Sequence, residues 1–109
     1  MVTQFAGMKS RRILDVALEH MLDDPVVILE GPRSVGKSTL LSEIARKRGG
    51  RVIDLDDPAT LTAMLADPAT QIAGDQLVCI DEYQKAPLVL DAIKAELNRG
   101  TTPGRFVLT

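Results

Sequence analysis

The sequence predicts an α/β fold of three layers, in which a mostly parallel sheet carries helices on both faces. Short apolar or β-branched runs alternate along the 109 residues with helical patterns, which is the order expected of strand-helix-strand units. One apolar run, LVCI at residues 77–80, has no polar interruption, as is typical of a strand covered on both faces. No repeats or long linkers interrupt this alternation, so we expect one domain.

The first predicted element is an N-terminal flanking helix within residues 1–24. Ser10 is its candidate cap. Residues 25–30, PVVILE, are the first predicted strand, and residues 38–50 form the next helix, which ends in basic residues and two glycines. The flanking helix has one apolar face, formed by Ile13, Leu14, Ala17, Leu18 and Met21.

Three more strands are predicted at residues 51–55, 77–80 and 104–109. After the first of them, Asp57 is a candidate cap with Pro58 at a first helical position. Pro68 then divides the segment into a short helix and an irregular or second helical piece. The segment at residues 86–100 contains a last predicted helix, with Pro87 near its first turn and Gly100 after its end. Its predicted apolar face is Leu90, Ile93 and Leu97.

Composition excludes several classes of protein. The chain is 45% apolar and 26% charged with a formal net charge of -2, so it carries no strong nucleic-acid signal. No apolar run is long enough for a membrane span and the N-terminus is too polar for a signal peptide, so we expect a cytoplasmic protein. Cys79 is expected to be a buried thiol. With His20 as the one histidine, no histidine-cysteine metal set can form.

Residues 28–41, ILEGPRSVGKSTLL, contain a phosphate-binding motif. Gly31, Gly36, Lys37 and Ser38 fit the P-loop (Walker A) pattern G-x-x-x-x-G-K-[ST]. Two glycines let successive N–H groups converge on an anion, the lysine adds a cation for the outer phosphates, and the serine hydroxyl suits Mg²⁺. The alternative is a glycine-rich turn, but a strand before and a helix after the motif favour nucleotide binding. The candidate cofactor-binding residues are Gly31, Pro32, Arg33, Ser34, Val35, Gly36, Lys37, Ser38 and Thr39.

An acidic pair follows the third predicted strand. Asp81 directly after an apolar strand fits the Walker B pattern and is, with Ser38, a candidate ligand of Mg²⁺. Glu82 is a candidate base that accepts the proton of an attacking water, with Lys37 as the second catalytic candidate. The alternative is a strand followed by an acidic turn. We expect Asp54, Asp56 and Asp57 to cap the next helix and orient its loop rather than bind metal.

Four ordered segments, GPRSVGKST, DLDDP, IDEYQKAP and RFVLT, resemble the N-terminal domain of the predicted AAA+ superfamily ATPases of bacteria and archaea. The resemblance covers nearly the whole chain, as one P-loop ATPase core over residues 1–109. It implies that the last strand lies between the P-loop strand and the Walker B strand. It also implies ATP and Mg²⁺ as cofactors and Thr109 as a polar sensor of the γ-phosphate.

Members of that family continue beyond FVLT with a further strand, a lid and a second domain. We therefore expect a truncated core, incomplete at its C-terminus, whose P-loop strand is a sheet edge open to self-association or a protein partner. Arg33 either supplies positive charge to the phosphates, or braces its loop or contacts the acids of DLDDP. Two classes of function stay open: an ATP-hydrolysing domain, and a non-catalytic nucleotide-binding or interaction module. A small-molecule kinase is disfavoured because no acceptor-binding segment is apparent.

Overall fold

A parallel sheet of five strands forms the centre of the computed structural model, which describes residues 2–4, 10–31, 36–100 and 102–109. The strands follow the spatial order β1-β2-β5-β4-β3, and every neighbouring pair is parallel. The predicted α/β class is confirmed, as is the position of the last strand between the second and the fourth. The strands are β1 (Val2–Gln4), β2 (Val26–Glu30), β3 (Arg51–Asp54), β4 (Val78–Asp81) and β5 (Phe106–Leu108).

Within the described ranges, five α-helices cover the two faces of the sheet. The first face packs against α1 and α2, and the second against α3, α4 and α5. The alternation of side chains along β5 serves both cores, because Val107 belongs to the first and Phe106 and Leu108 to the second. None of the helices in the described ranges has the length and apolar character needed to cross a bilayer. The helices are α1 (Ser10–His20), α2 (Lys37–Arg48), α3 (Pro58–Ala66), α4 (Pro68–Ile72) and α5 (Val89–Arg99).

Local capping explains where the short helices begin and end. Asp57 accepts hydrogen bonds from the backbone N–H and the hydroxyl of Thr60, at 3.0 and 2.7 Å, and Pro58 begins α3 as predicted. Asp67 caps α4 in the same way through Thr70, so the piece after Pro68 is a second helix. The hydrogen bonds from the two threonines lower the pKa values of both aspartates.

The N-terminal residues correct the prediction that the P-loop strand, β2, is an edge of the sheet. Val2–Gln4 forms a strand that pairs with residues 28–30, so β2 is not an edge strand. A strand of three residues is too short to show an alternating pattern, which is why the sequence did not reveal it. Among the described strands the edges are β1 and β3. Self-association stays a prediction, without the exposed edge of β2 as its basis.

A second correction concerns α5. Val89 and Ile93 are buried and Leu97 is half-buried, whereas Leu90 is 41% exposed and does not belong to the apolar face. Val89 and Ile93 are four residues apart and share one side of the helix, while Leu90 lies about 100° further round. The prediction is confirmed for Ile93 and Leu97, and wrong for Leu90, whose place on the buried face is taken by Val89.

A thiol and a guanidinium group lie in the interior. Cys79 is buried in β4, and burial raises the pKa of its thiol to about 12, so it stays a neutral, unreactive group. Arg105 is 4% exposed and stacks on Phe106, with its guanidinium carbon 4.4 Å from the ring centre. Burial lowers the pKa of this arginine. It donates to three carbonyls of the chain before β4, those of Ile72, Gly74 and Gln76.

Candidate functional site

The carboxyl ends of β2, β4 and β5 meet at one edge of the sheet. Gly31 follows β2, Asp81 is the last residue of β4, and Thr109 follows β5. In parallel sheets this edge is where ligands bind, because the connecting loops there converge. The register pairs Ile80 with Leu108, so Asp81 and Thr109 are the next residues along two adjacent strands.

Helix α2 begins beside this edge. Its N-cap is Gly36, with φ 72° and ψ 47°, a left-handed conformation that glycine adopts without steric cost. Lys37 and Ser38 are the first helical residues, and their free N–H ends carry the positive pole of the helix. The predictions for Pro32, Arg33, Ser34 and Val35 lie outside the described residues.

Asp81 is the centre of the site. Its carboxylate is 4% exposed and accepts two hydrogen bonds, from the Ser38 hydroxyl to Oδ2 at 2.5 Å and from the Thr109 hydroxyl to Oδ1 at 2.8 Å. Both oxygens of this buried group are thereby satisfied. Because the Ser38 hydroxyl donates its proton to Asp81, its lone pairs are left for another ligand.

Thr109 is 2% exposed and touches the chain on both sides of Asp81. Its N–H donates to the carbonyl of Ile80 at 2.9 Å, and its carbonyl oxygen accepts from the N–H of Tyr83 at 3.1 Å. With the hydroxyl bond to Asp81, these contacts hold the end of β5 against residues 80–83. The residues between the two backbone bonds include Glu82.

Glu82 has a strained backbone. With φ 62° and ψ 47°, it is the one non-glycine residue of positive φ within the described ranges. This conformation costs an L-residue such as glutamate roughly 1–2 kcal/mol. It opens a 3₁₀ turn (Tyr83–Lys85) in which the Lys85 N–H donates to the Glu82 carbonyl at 3.0 Å. Such strain persists only where surrounding contacts impose it, and it clusters at functional sites.

The acidic loop after β3 borders the same region. Asp54 accepts from the Asp56 N–H at 2.9 Å and Asp57 caps α3, so these two residues shape the loop. Asp56 lies 2.5 Å from the Lys85 ammonium. The two side chains are 51% and 43% exposed, and a pair of this kind contributes about 0–1 kcal/mol, so it links the loops without dominating their stability.

Two clefts meet at the N-terminus of α2. The smaller, of about 220 Å³, lies among the α2 N-terminus and the carboxylates of Asp56, Asp81 and Glu82. The larger, of about 820 Å³, runs between α1 and α2, and the two clefts share Gly36 and Thr39. The smaller cleft is bordered by three carboxylates and Lys37, while the larger one has the room for a bulkier group.

The described side chains at this edge could hold a metal ion only together with other ligands. In the described part of the chain, no three or more histidine, cysteine or acidic side chains group so as to hold an ion by themselves. Mg²⁺ does not require such a cage, because it is commonly held by one or two carboxylates together with substrate phosphates. The contacting oxygens of Ser38 and Asp81 fit that pattern, since both are hard donors beside a helix N-terminus.

The strand order and this edge define the class as an AAA-type, P-loop NTPase-like domain. The family described as AAA domain matches residues 23–109, and the chain belongs to that family. It is also similar to an uncharacterized protein of Mycobacterium tuberculosis and one of Mycobacterium bovis, each 34% identical over 85 residues. Those residues are 77% of this chain but 19% of each relative, so the chain spans about a fifth of their length. No solved structure matches it.

Sequence reasoning did not find two features of the site. The hydroxyl bond from Thr109 to Asp81 could have been inferred from the strand order, because adjacent parallel strands in register bring their next residues together. The left-handed backbone of Glu82 carries no sequence signal, since glutamate has no preference for this conformation. It is imposed by the surrounding contacts.

We expect the strain at Glu82 to appear as a difference in stability between two amide variants. Glu82→Asn and Glu82→Gln both remove the charge, but asparagine tolerates the left-handed region better. Glu82→Asn should exceed Glu82→Gln in free energy of unfolding by roughly 0.5–1 kcal/mol. Urea denaturation of the two variants measures this. Equal stability, or a more stable Glu82→Gln, would show that the backbone at residue 82 is not strained.

Proposed function

We propose that this chain binds ATP together with Mg²⁺ at the carboxyl edge of its sheet, and that the whole protein hydrolyses the nucleotide. The observation that carries the proposal is the contact between Ser38 and Asp81. It joins the first turn of a helix that begins at a left-handed glycine to a buried carboxylate at the end of a parallel strand. AAA membership supports nucleotide binding at this edge.

Phosphate binding is assigned to the segment from Gly31 to Thr39. Gly36 lets the chain turn into α2, whose first N–H groups have no partner within the helix. The positive pole of that helix attracts the anion. Lys37 adds the counter-charge for the outer phosphates. The larger cleft meets this segment at Gly36 and Thr39, and its volume of about 820 Å³ suits a nucleoside. The proposed segment also includes Pro32, Arg33, Ser34, Val35 and Ser38.

Ser38 and Asp81 are the proposed ligands of Mg²⁺. Bound there, the ion neutralises charge on the phosphates. Ser38 presents a lone pair while its proton is held by Asp81, so the hydroxyl is oriented before the ion arrives. The buried carboxylate adds negative charge close to that lone pair. Thr109, which the family resemblance implies to be a γ-phosphate sensor, contacts this carboxylate.

Glu82 is the proposed base for the attacking water. Its side chain borders the smaller cleft with Lys37 and Asp81, and its strained backbone is consistent with a functional position. Lys37 is the one basic residue that borders this cleft in the described ranges. Further positive charge accelerates phosphoryl transfer strongly. Arg33 of the proposed phosphate segment is the candidate for that charge.

The binding proposal predicts that Lys37→Ala weakens ATP binding in the presence of Mg²⁺. Loss of the counter-charge should cost about 2–5 kcal/mol of binding free energy if the contact excludes water. Calorimetric titration with ATP measures this. Lys94→Ala, which removes an exposed lysine from α5, is the matched control and should bind as wild type does. Equal affinities of wild type and Lys37→Ala would contradict the assignment of the phosphate site.

The hydrolysis proposal predicts that Glu82→Gln loses turnover and keeps nucleotide affinity. Removing a positioned base should lower the rate at least ~100-fold, because water must then lose its proton without an acceptor. Single-turnover release of phosphate from labelled ATP is the measurement, with Glu19→Gln on α1 as the control. An unchanged rate in Glu82→Gln would exclude Glu82 as the base. Phosphate release by wild type no faster than in buffer would instead indicate a nucleotide-binding module without turnover.

A further inference from the structure

We infer that Thr109 is a positioning residue, which fixes the carboxylate of Asp81 for the magnesium ion rather than contacting the γ-phosphate. This inference rests on the proposed function, because it concerns the same nucleotide site. Thr109 acts on the metal ion indirectly, by orienting the carboxylate of Asp81.

The hydroxyl, the N–H and the carbonyl oxygen of Thr109 each already have a partner. Its hydroxyl has a single proton, which it donates to Asp81 Oδ1 at 2.8 Å. Its N–H and carbonyl oxygen are bound to Ile80 and Tyr83. The side chain is enclosed, since the residue is 2% exposed. A hydroxyl held in this way has no second proton to donate to a phosphate oxygen.

The orientation of the Asp81 carboxylate depends on two hydrogen bonds. A carboxylate can rotate about its Cβ–Cγ bond unless both oxygens are held. Ser38 holds Oδ2 from the start of α2, and Thr109 holds Oδ1 from the end of β5. Ser38 is also a proposed ligand of the metal, so its bond to Asp81 depends on what occupies the site. Thr109 is not a proposed metal ligand, so its bond to Asp81 does not depend on whether the ion is present. This bond therefore keeps the plane of the carboxylate fixed.

Removing the Thr109 hydroxyl should therefore affect the metal and not the phosphates. In Thr109→Val the oxygen Oδ1 loses its donor in a buried setting, where an unpaired acceptor is costly, and the carboxylate is free to turn. ADP lacks the γ-phosphate but still binds Mg²⁺ through its β-phosphate. A residue that positions Asp81 thus affects ADP and ATP alike, whereas a contact with the γ-phosphate affects ATP alone.

The test measures the affinity of wild type, Thr109→Val and Thr109→Ser for ADP and for ATP, each in EDTA and in Mg²⁺. We expect affinities in EDTA to be unchanged. The gain in affinity that Mg²⁺ provides should fall about tenfold in Thr109→Val, equally for both nucleotides. Thr109→Ser keeps the hydroxyl and should retain the gain. Thr102→Val, an exposed threonine outside the sheet, is the matched control and should behave as wild type.

Two results would overturn the inference while leaving the proposed function in place: an unchanged Mg²⁺ effect in Thr109→Val, or a loss confined to ATP. If Thr109→Val does not fold, Thr109→Ala takes its place with the same expectations, since the backbone bonds of residue 109 do not need the side chain. Failure of the wild-type protein to bind either nucleotide would overturn the proposed function and this inference together.

Discussion

The site depends on one buried carboxylate with two hydroxyl donors. Asp81 stands at the end of a central strand, where burial without partners would be costly for a charged group. Ser38 supplies one donor from α2 and Thr109 supplies the other from β5. Three elements that are distant in sequence are thereby joined at a single point. The Ser38 bond ties the start of α2 to the acidic edge.

The same arrangement accounts for the backbone of Glu82. The residue follows Asp81 directly, and the chain on either side of it is held by β5, through the bonds of Thr109 to Ile80 and Tyr83. Those contacts offset a conformation that costs roughly 1–2 kcal/mol in isolation. Strain at Glu82 and order at Asp81 thus have a common origin, which is the docking of residue 109 against the end of β4.

Much of the fold could be predicted from the sequence because it depends on local patterns. A few adjacent residues determine each of three features: the end of α2 at Gly49, the cap of α3 at Asp57 and the apolar run of β4. The position of β5 required the family resemblance, since no local pattern determines strand order. The strand Val2–Gln4 was missed because its pairing with β2 is a contact across sequence and its three residues carry no periodicity.

The candidate site, like the fold, could be predicted only in part from the sequence. The residue types at 36–38 and 81–82 could be identified as candidates from their spacing, but their geometry could not. The carbonyls that Arg105 binds, and the left-handed turn at Glu82, follow from packing between segments about 30 residues apart. Tertiary contacts of this kind override the local preferences from which a sequence is interpreted.

The most direct test of the central claim is a map of backbone amide chemical shifts during titration with ADP and then Mg²⁺. If Asp81 organises a metal-nucleotide site with the start of α2, ADP should shift the amides of Gly36, Lys37 and Ser38. Mg²⁺ should then shift those of Ser38, Asp81 and Thr109. Shifts confined to another part of the molecule, such as α5 or the β3 edge, would contradict the account.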